Sequence, residues 1–423
     1  MKIAVVGAGI AGIAAADRLS KTNDVRLYES KGRLGGHTDS QSVMLGERIY
    51  SIDTGFVVFN EDHYPQFSNW LNDLQVSSRR APMSFSYECS KSRISYATAS
   101  LKSLFAQRGS LFSIEHLRMI ANMRHFFRNA ERLIHASGDQ PIGEFLAAAG
   151  YGKRFIDCYV APICSALWSY DKDDALAMPL RHVIGFMQNN RLMSVGKAPQ
   201  WRVITGGSSR YVEAFEKQFT GSIHLDSEPL LVRRGEGSPQ LHDALGWQDF
   251  DAIVLACPPD QVLQLLDDAT ATEADILNSF RYRENRVVLH SDERYMPSAK
   301  DLWSSWNALA EEEGANPSVT YWMNQLQSIR GQNFFITNNP CQDPVRIWAE
   351  RKYRHTLFDK NTLDAQAKLE RIDSKDGVFF CGAYRGYGLH EDGFKSGIDA
   401  AEKVLRAGLA DAVVSKPQAV GGR

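Results

Sequence analysis

The chain opens Met1-Lys2-Ile3-Ala4-Val5-Val6-Gly7-Ala8-Gly9-Ile10-Ala11-Gly12, and this stretch decides the fold. Ile3 to Val6 is a short apolar run rich in β-branched side chains, as suits a strand buried on both faces. Glycines at 7, 9 and 12 follow, and Ile13 to Leu19 has the character of a helix. A second strand, Val25 to Tyr28, ends at Glu29. Strand, glycine turn, helix, strand and acid together predict a dinucleotide-binding βαβ unit.

Each residue of that unit has a mechanical reason. Gly7 permits the tight turn, Gly9 lets the backbone approach a pyrophosphate, and Gly12 lets helix and strand come close. Backbone N–H groups around Ala8, Ile10 and Ala11 face the phosphates, with the positive end of the helix dipole behind them. Glu29, followed by Ser30, is placed to accept hydrogen bonds from ribose hydroxyls. A carboxylate there repels a 2′-phosphate, which argues against NADP. The apolar run to Ala16 also has features of a secretory signal. Its glycines would weaken a helical core, however, and the pattern continues in register into a second strand.

Further on, Lys31-Gly32-Arg33-Leu34-Gly35-Gly36-His37-Thr38 forms a second glycine-rich segment. It can wrap the same pyrophosphate from the other side, with Arg33 adding positive charge. A hairpin predicted from Gln41 to Ile52 leads into Asp53-Thr54-Gly55-Phe56, a short polar turn whose backbone can lie against a flat ligand.

A chain of 423 residues suggests two or three domains. A net charge of −2 argues against nucleic acid as a partner. No apolar run reaches the ~18 residues that span a bilayer. The six cysteines show no zinc spacing, and with no credible signal peptide they read as reduced thiols in a cytoplasmic protein.

From Phe59 to about Gln200, helical periodicity dominates and few strands are expected, with helices at Phe67–Leu74 and Ile114–Ile134. The segment Leu101 to His135 is basic and aromatic: Lys102, Arg108, Arg118, Arg124, Arg128 and Arg132 stand against Glu115 and Glu131. Such a segment can lie on an anionic membrane surface, or be a core-packed helix with a solvated basic face. Ile184, Phe186, Met187, Leu192 and Met193 are candidates for a substrate pocket or for core. Strands near Trp201, Ile223, Leu230, Asp251–Ala256 and Gly377–Phe380 return to the first sheet. Between them, Arg286–His290, Val319–Met323 and Asn333–Thr337 suggest an antiparallel sheet. The reading is thus of a discontinuous nucleotide-binding domain, residues 1–58, 200–283 and 370–407. A substrate domain occupies 59–199 and 284–369, and a flexible tail 408–423.

With its Arg33-Leu34-Gly35-Gly36 segment, the opening resembles the arginine–glycine–glycine signature of the flavin amine oxidase superfamily, which favours FAD over NAD. Over residues 1 to about 405 the chain resembles a bacterial branch of that superfamily, often encoded beside cyclopropane fatty acyl synthase-like methyltransferases. The matching stretches are Trp201–Tyr211, Val288-Leu289-His290-Ser291-Asp292 with Met296-Pro297, Trp303–Asn307, Tyr321–Gln327 and Gly382–Gly397. Departures are His37 where arginine is usual, Asn190-Arg191 for His-Gly, Thr356 for Pro after His355, and Ala383 for glutamate. Pro229 has no N–H for the adenine, so that contact shifts by a residue, to Leu230, or is lost.

The resemblance implies an α/β fold: a Rossmann-like FAD-binding domain of amine oxidase type with an interleaved α+β substrate domain. It implies noncovalent FAD, with Asp53, Thr54, Gly55 and Phe56 beneath the flavin ring and Cys257, Gly382, Ala383, Asp392, Gly393 and Phe394 among its contacts. A helix starting near Phe394 would aim N–H groups at the flavin N1–C2 carbonyl. Candidates for the reacting edge are His390, Tyr384, Tyr387 and Arg286, the last roughly where related enzymes place a lysine that holds water near N5. The activity implied is that of a desaturase or dehydrogenase, passing hydride from an unsaturated or methyl-branched fatty acyl chain to flavin N5. Alternatives are a fatty-acid double-bond isomerase, an amine oxidase, or a nonenzymatic FAD-bound partner of a lipid methyltransferase. The partners implied are a lipid or fatty-acyl substrate, such a methyltransferase, and peripheral contact with the inner membrane face.

Overall fold

The computed structural model describes residues 1–189, 199–227, 231–235 and 237–414. Lys2–Val6 is the middle strand of a five-stranded parallel sheet. Asp24–Tyr28 and then Ser222–His224 lie on one side, Ala252–Leu255 and then Val378–Phe380 on the other. The sheet therefore gathers its strands from three separated stretches of the chain. Its two faces are both dry, which explains the continuous apolar runs. Ile3 and Val5 face the helices, whereas Ala4 and Val6 face an antiparallel layer of Leu231–Arg234, Pro239–Asp243 and Gly246–Asp249.

On the helical face, Ile10–Ser20 lies against His390–Val414. The contact depends on missing side chains. A Cβ on Gly397 would stand 2.1 Å from the Ala11 carbonyl oxygen, and one on Gly393 would stand 2.7 Å from Ile10 Cγ2. Gly12 likewise leaves room for the Gly7 carbonyl, 1.8 Å from where its Cβ would be. These close approaches bring both helix N-termini to one edge of the sheet.

A second, seven-stranded sheet runs in the order Ile347–Leu357, Arg281–His290, Phe335–Asn338, Ser318–Trp322, Trp306–Ala310, Phe85–Cys89, Ile94–Ala97. Its pairs are antiparallel except that of Trp306–Ala310 with Phe85–Cys89. Helices including Ile114–Ser137, Ala161–Trp168 and Leu180–Asn189 share a core with its Phe85 end.

Three expectations need correction. The helical stretch after Phe59 contributes strands Ser78–Arg80, Phe85–Cys89 and Ile94–Ala97. Phe85–Cys89 pairs with residues more than two hundred positions away, and no local pattern announces such a partner. The final helix begins at His390 and not near Phe394, because Glu391 and Asp392 are acids suited to a first turn. It also continues to Val414, past the Gly408 boundary expected for a tail; residues 415–423 lie outside the described residues. Substituting Gly397→Val should wedge the two helices apart. It should lower stability by about 1–3 kcal/mol and reduce FAD retention, checked by thermal melting and by flavin absorbance after gel filtration.

Candidate active site

At the sheet edge, the Ile10–Ser20 helix starts at Gly9 with no side-chain cap and no acid in its first turn. A Cβ on Gly9 would meet nothing within 4 Å, so open space lies in front of these N–H groups. Gly36, in the left-handed region at φ +58°, closes the other side: its Cβ would be 3.0 Å from Gly9 Cα. This is a seat for an anion. Glu29 Oε2 accepts from Ala8 N–H at 2.8 Å and Oε1 accepts from Lys31 N–H at 3.0 Å, while Ser30 Oγ donates to Oε1 at 3.3 Å. The carboxylate is thereby locked in orientation, with lone pairs left over.

From this seat a cavity of about 360 Å³ runs between the two sheets. One end is lined by Gly9, Ile10, Ala11, Gly35, His37 and Cys257. Along its middle stand Thr54, Gly55, Phe56, Gly382, Ala383 and His390. The far end is aromatic and aliphatic: Trp168, Phe186, Trp306, Tyr321, Ile336 and Phe358.

His390, at the start of the last helix, stacks on Phe56 with ring centroids 3.7 Å apart and planes 9° from parallel. Its Nε2 is 3.0 Å from Tyr211 Oη, which in turn hydrogen-bonds Thr38 Oγ1. Enclosure by protein pushes the His390 pKa well down, so the ring is neutral at neutral pH. His37 is exposed at the cavity, and the protein crowded around its ring, with Lys31 and Arg33, lowers its pKa to about 4 against its contact to the Arg354 carbonyl oxygen.

Residues 10–294, more than half of the chain, match the flavin containing amine oxidoreductase family. The chain belongs to that family. Its fold is also that of cyclohexylamine oxidase from Brevibacterium oxydans: TM-score 0.70 at 15% identity, covering 96% of this chain and 99% of that one. A CLA-producing fatty acid isomerase from P. acnes gives TM-score 0.68 at 14% identity, covering 95% and 98%. Putrescine oxidase bound to putrescine gives 0.69 at 12%, covering 96% and 99%. At such identities the likeness is one of fold. Among curated proteins none matches the sequence. As a member of this family, the protein is an FAD-dependent oxidoreductase.

The residues at the sheet edge fit FAD: an uncapped helix start with open space before Gly9 for the pyrophosphate, and a fixed carboxylate at Glu29 for a ribose. Arg33 acts differently from expectation. Its guanidinium donates to the carbonyls of Leu34, Gly36 and Thr38 at 3.2, 2.9 and 2.9 Å, so it braces the loop that faces the phosphates. Gly55 is required by packing, since its Cβ would lie 1.9 Å from the His37 carbonyl oxygen.

Other expected contacts stand behind the wall. Asp53 is fully buried and does not line the cavity. Its carboxylate gathers Ser208 N–H at 2.7 Å, Ser40 Oγ at 2.5 Å and Gln327 Nε2 at 3.0 Å, tying the hairpin to two distant turns. Asp392 Oδ2 accepts from Tyr387 N–H at 3.1 Å and Leu389 N–H at 2.9 Å, folding the turn before the helix. Phe394 is in the core beside Trp70 and Phe67, and Gly393 serves helix contact. Leu230, like Pro229, Asn190, Arg191, Leu192 and Met193, lies outside the described residues.

Of the four candidates for the reacting edge, the structure brings His390 and Tyr384 to the cavity. Tyr384 is buried, and its hydroxyl has no partner among the described residues. Tyr387 is not among the lining residues; its ring lies near His182 and Phe186 in the helical core. Arg286 does not reach the cavity either. Its guanidinium pairs with Asp343 and Glu350 at 2.7 Å each, while the next residue along its strand, Val287, lines the wall. Sequence reading missed Tyr211, Tyr282, Asn338, Tyr353 and Arg354. Tyr353 and Arg354 belong to Ile347–Leu357, a strand hidden by its charges Glu350, Arg351, Lys352 and Arg354.

Two outcomes follow. Glu29→Ala should weaken FAD binding about ten- to a hundredfold in titration calorimetry, the loss of hydrogen bonds to a charged group. Burial lifts the Asp392 carboxyl to about 6, above its ordinary 3.8. The folded chain then holds this proton to higher pH than the unfolded chain. The group therefore favours folding most below about pH 4, and that contribution is lost as pH rises to about 6. Thermal melts should show wild type losing ground to Asp392→Asn across that window.

Proposed function

We propose that this oxidoreductase removes hydride from an unsaturated or methyl-branched fatty acyl chain. The observation that carries the reading is the far wall of the cavity. Trp168, Phe186, Trp306, Ile336 and Phe358 offer an acyl chain apolar surface, and each buried methylene adds about 0.8 kcal/mol. The polar groups there are turned on one another. Asn338 Nδ2 donates to Ser169 Oγ at 2.8 Å and to Tyr321 Oη at 3.2 Å, and Tyr321 Oη donates to the Ala166 carbonyl oxygen at 2.9 Å. No carboxylate stands among the described lining residues, so the wall offers a cationic substrate no counter-charge.

Bound FAD supplies the hydride acceptor. The chain supplies the rest. The start of the last helix lies at the middle of the cavity, where Glu391 and Asp392 in its first turn offset its positive dipole end. His390, held by Tyr211 and Phe56, is the side chain we assign to orienting the substrate there. Its lowered pKa makes it a poor base, and the proton that leaves the substrate passes to water.

A double-bond isomerase is the second reading, supported by the shared fold with a fatty acid isomerase; there the hydride is handed back. The aromatic wall and the fold of cyclohexylamine oxidase support amine oxidation as a third. An FAD-bound partner of a lipid methyltransferase would need no turnover at all, and such a methyltransferase and the inner membrane face go with any lipid reading. Anaerobic mixing of the FAD-loaded protein with unsaturated acyl substrates separates them. Lasting loss of flavin colour, with a new double bond in the product, is expected. A shifted double bond without bleaching would select the isomerase. Bleaching by simple amines alone would sink the acyl reading, and no response to either class would leave the nonenzymatic partner.

A further inference from the structure

The helix Ile114–Ser137 packs one side into the core through His116, Met119 and Phe126. Its other side carries a regular stripe. At about 100° per residue, Ile114, Leu117, Ala121, Arg124, Arg128 and Arg132 fall within ~80° of one another around the axis. All six are exposed. The stripe is divided along its length, with apolar residues at the N-terminal end and arginines beyond. The preceding 3₁₀ turn, Arg108–Phe112, extends the apolar end with Leu111 and Phe112. Phe112 is 86% exposed and Ile114 82%, beside Leu111 at 53% and Leu117 at 44%.

Single exposed apolar residues need no explanation, but four of them in seven positions, continuing into an arginine row, do. From Leu101 to His135 the sequence has six Lys and Arg against two Glu, in a chain whose net charge is −2. Glu115 is engaged with Arg154 at 2.6 Å. Arg124, Arg128 and Arg132 give this face an excess of positive charge over the one glutamate, Glu131, that adjoins it in the helix. An apolar tip adjoining a row of guanidinium groups is complementary to one kind of surface: anionic head groups over an acyl layer.

We propose that this face docks on the surface of an anionic phospholipid bilayer. Phe112, Ile114 and Leu117 enter the head-group boundary, and Arg124, Arg128 and Arg132 lie along the phosphates. The proposal rests on exposure and charge and stands apart from the acyl reading of the cavity, since docking needs no turnover.

The test is co-sedimentation of the FAD-loaded protein with vesicles of phosphatidylglycerol and phosphatidylcholine, and with phosphatidylcholine alone. Binding to the anionic vesicles, reversed by high salt, is expected. Phe112→Ser with Ile114→Ser, and separately Arg124→Glu with Arg128→Glu, should each lower partitioning at least about tenfold. Unchanged flavin absorbance and melting temperature would show that the variants fold. Failure of the wild-type protein to bind anionic vesicles overturns the proposal, as does binding that survives both double variants. Sedimentation equilibrium supplies a third arm. Self-association abolished by the Phe112 and Ile114 changes, without vesicle binding, would make the face a contact between copies and overturn the proposal too.

Discussion

The close contact between the first and last helices governs this molecule. Backbone meets backbone where Gly397 passes the Ala11 carbonyl, at a separation that excludes any Cβ. Because the helices lie side by side, two positive dipole ends converge on one cavity. One serves the nucleotide, at Gly9 to Ala11. The other, at His390, faces the middle of the same cavity. Two helices whose contacting residues lie nearly four hundred positions apart in sequence are thus closed into one cofactor-binding layer by a few absent side chains.

The two ends of the cavity are built by different means, and that difference explains what the sequence reveals. The nucleotide end is made of backbone: N–H groups, left-handed glycines, and carbonyls braced by Arg33. Backbone recognition needs particular residues at fixed local spacings, so the first 38 positions could be read directly, down to the glutamate that fixes its loop. The far end, which we propose takes the substrate, is made of side chains from helices and strands distant in sequence. Nothing local to Asn338 predicts that it meets Ser169, and nothing local to Phe85–Cys89 predicts a partner at Trp306–Ala310. The 11-residue strand Ile347–Leu357 was obscured because its charged side chains break the apolar alternation by which strands are recognised.

Arg286 shows the limit in a single residue. Its position on the long Arg281–His290 strand follows from the pattern, but a strand sends alternate side chains to opposite faces. Being one residue from Val287 in sequence puts Arg286 on the face that carries Asp343 and Glu350, away from the cavity. Asp53 and Asp392 fail as contacts for another reason: both carboxylates are consumed in holding turns. Polar residues near a cofactor motif are as often its supports as its ligands. Sequence alone does not separate the roles, because both require a carboxylate at that place.

Those supports converge on the start of the last helix. His390 is bonded to Tyr211 and stacked on Phe56. Glu391 caps a different helix, Pro65–Asp73, by accepting from Gln66 and Phe67 N–H at 3.0 and 3.1 Å. Asp392 closes the turn at residues 387–389. Three consecutive residues thus fasten three separate segments, and each bond restricts the backbone on which the others depend. The middle of the cavity is therefore fixed by more constraints than it has freedoms, as reacting groups require. The far wall is held by apolar packing, which tolerates exchange among side chains of similar volume, and by a few hydrogen bonds such as that of Trp168 Nε1 to the Tyr387 carbonyl oxygen. On the proposed reading, exchange at Phe186, Trp306 or Phe358 would reshape the far wall without touching the bonds that hold His390. A fold shared by a cyclohexylamine oxidase and a fatty acid isomerase is what such a division of constraints allows.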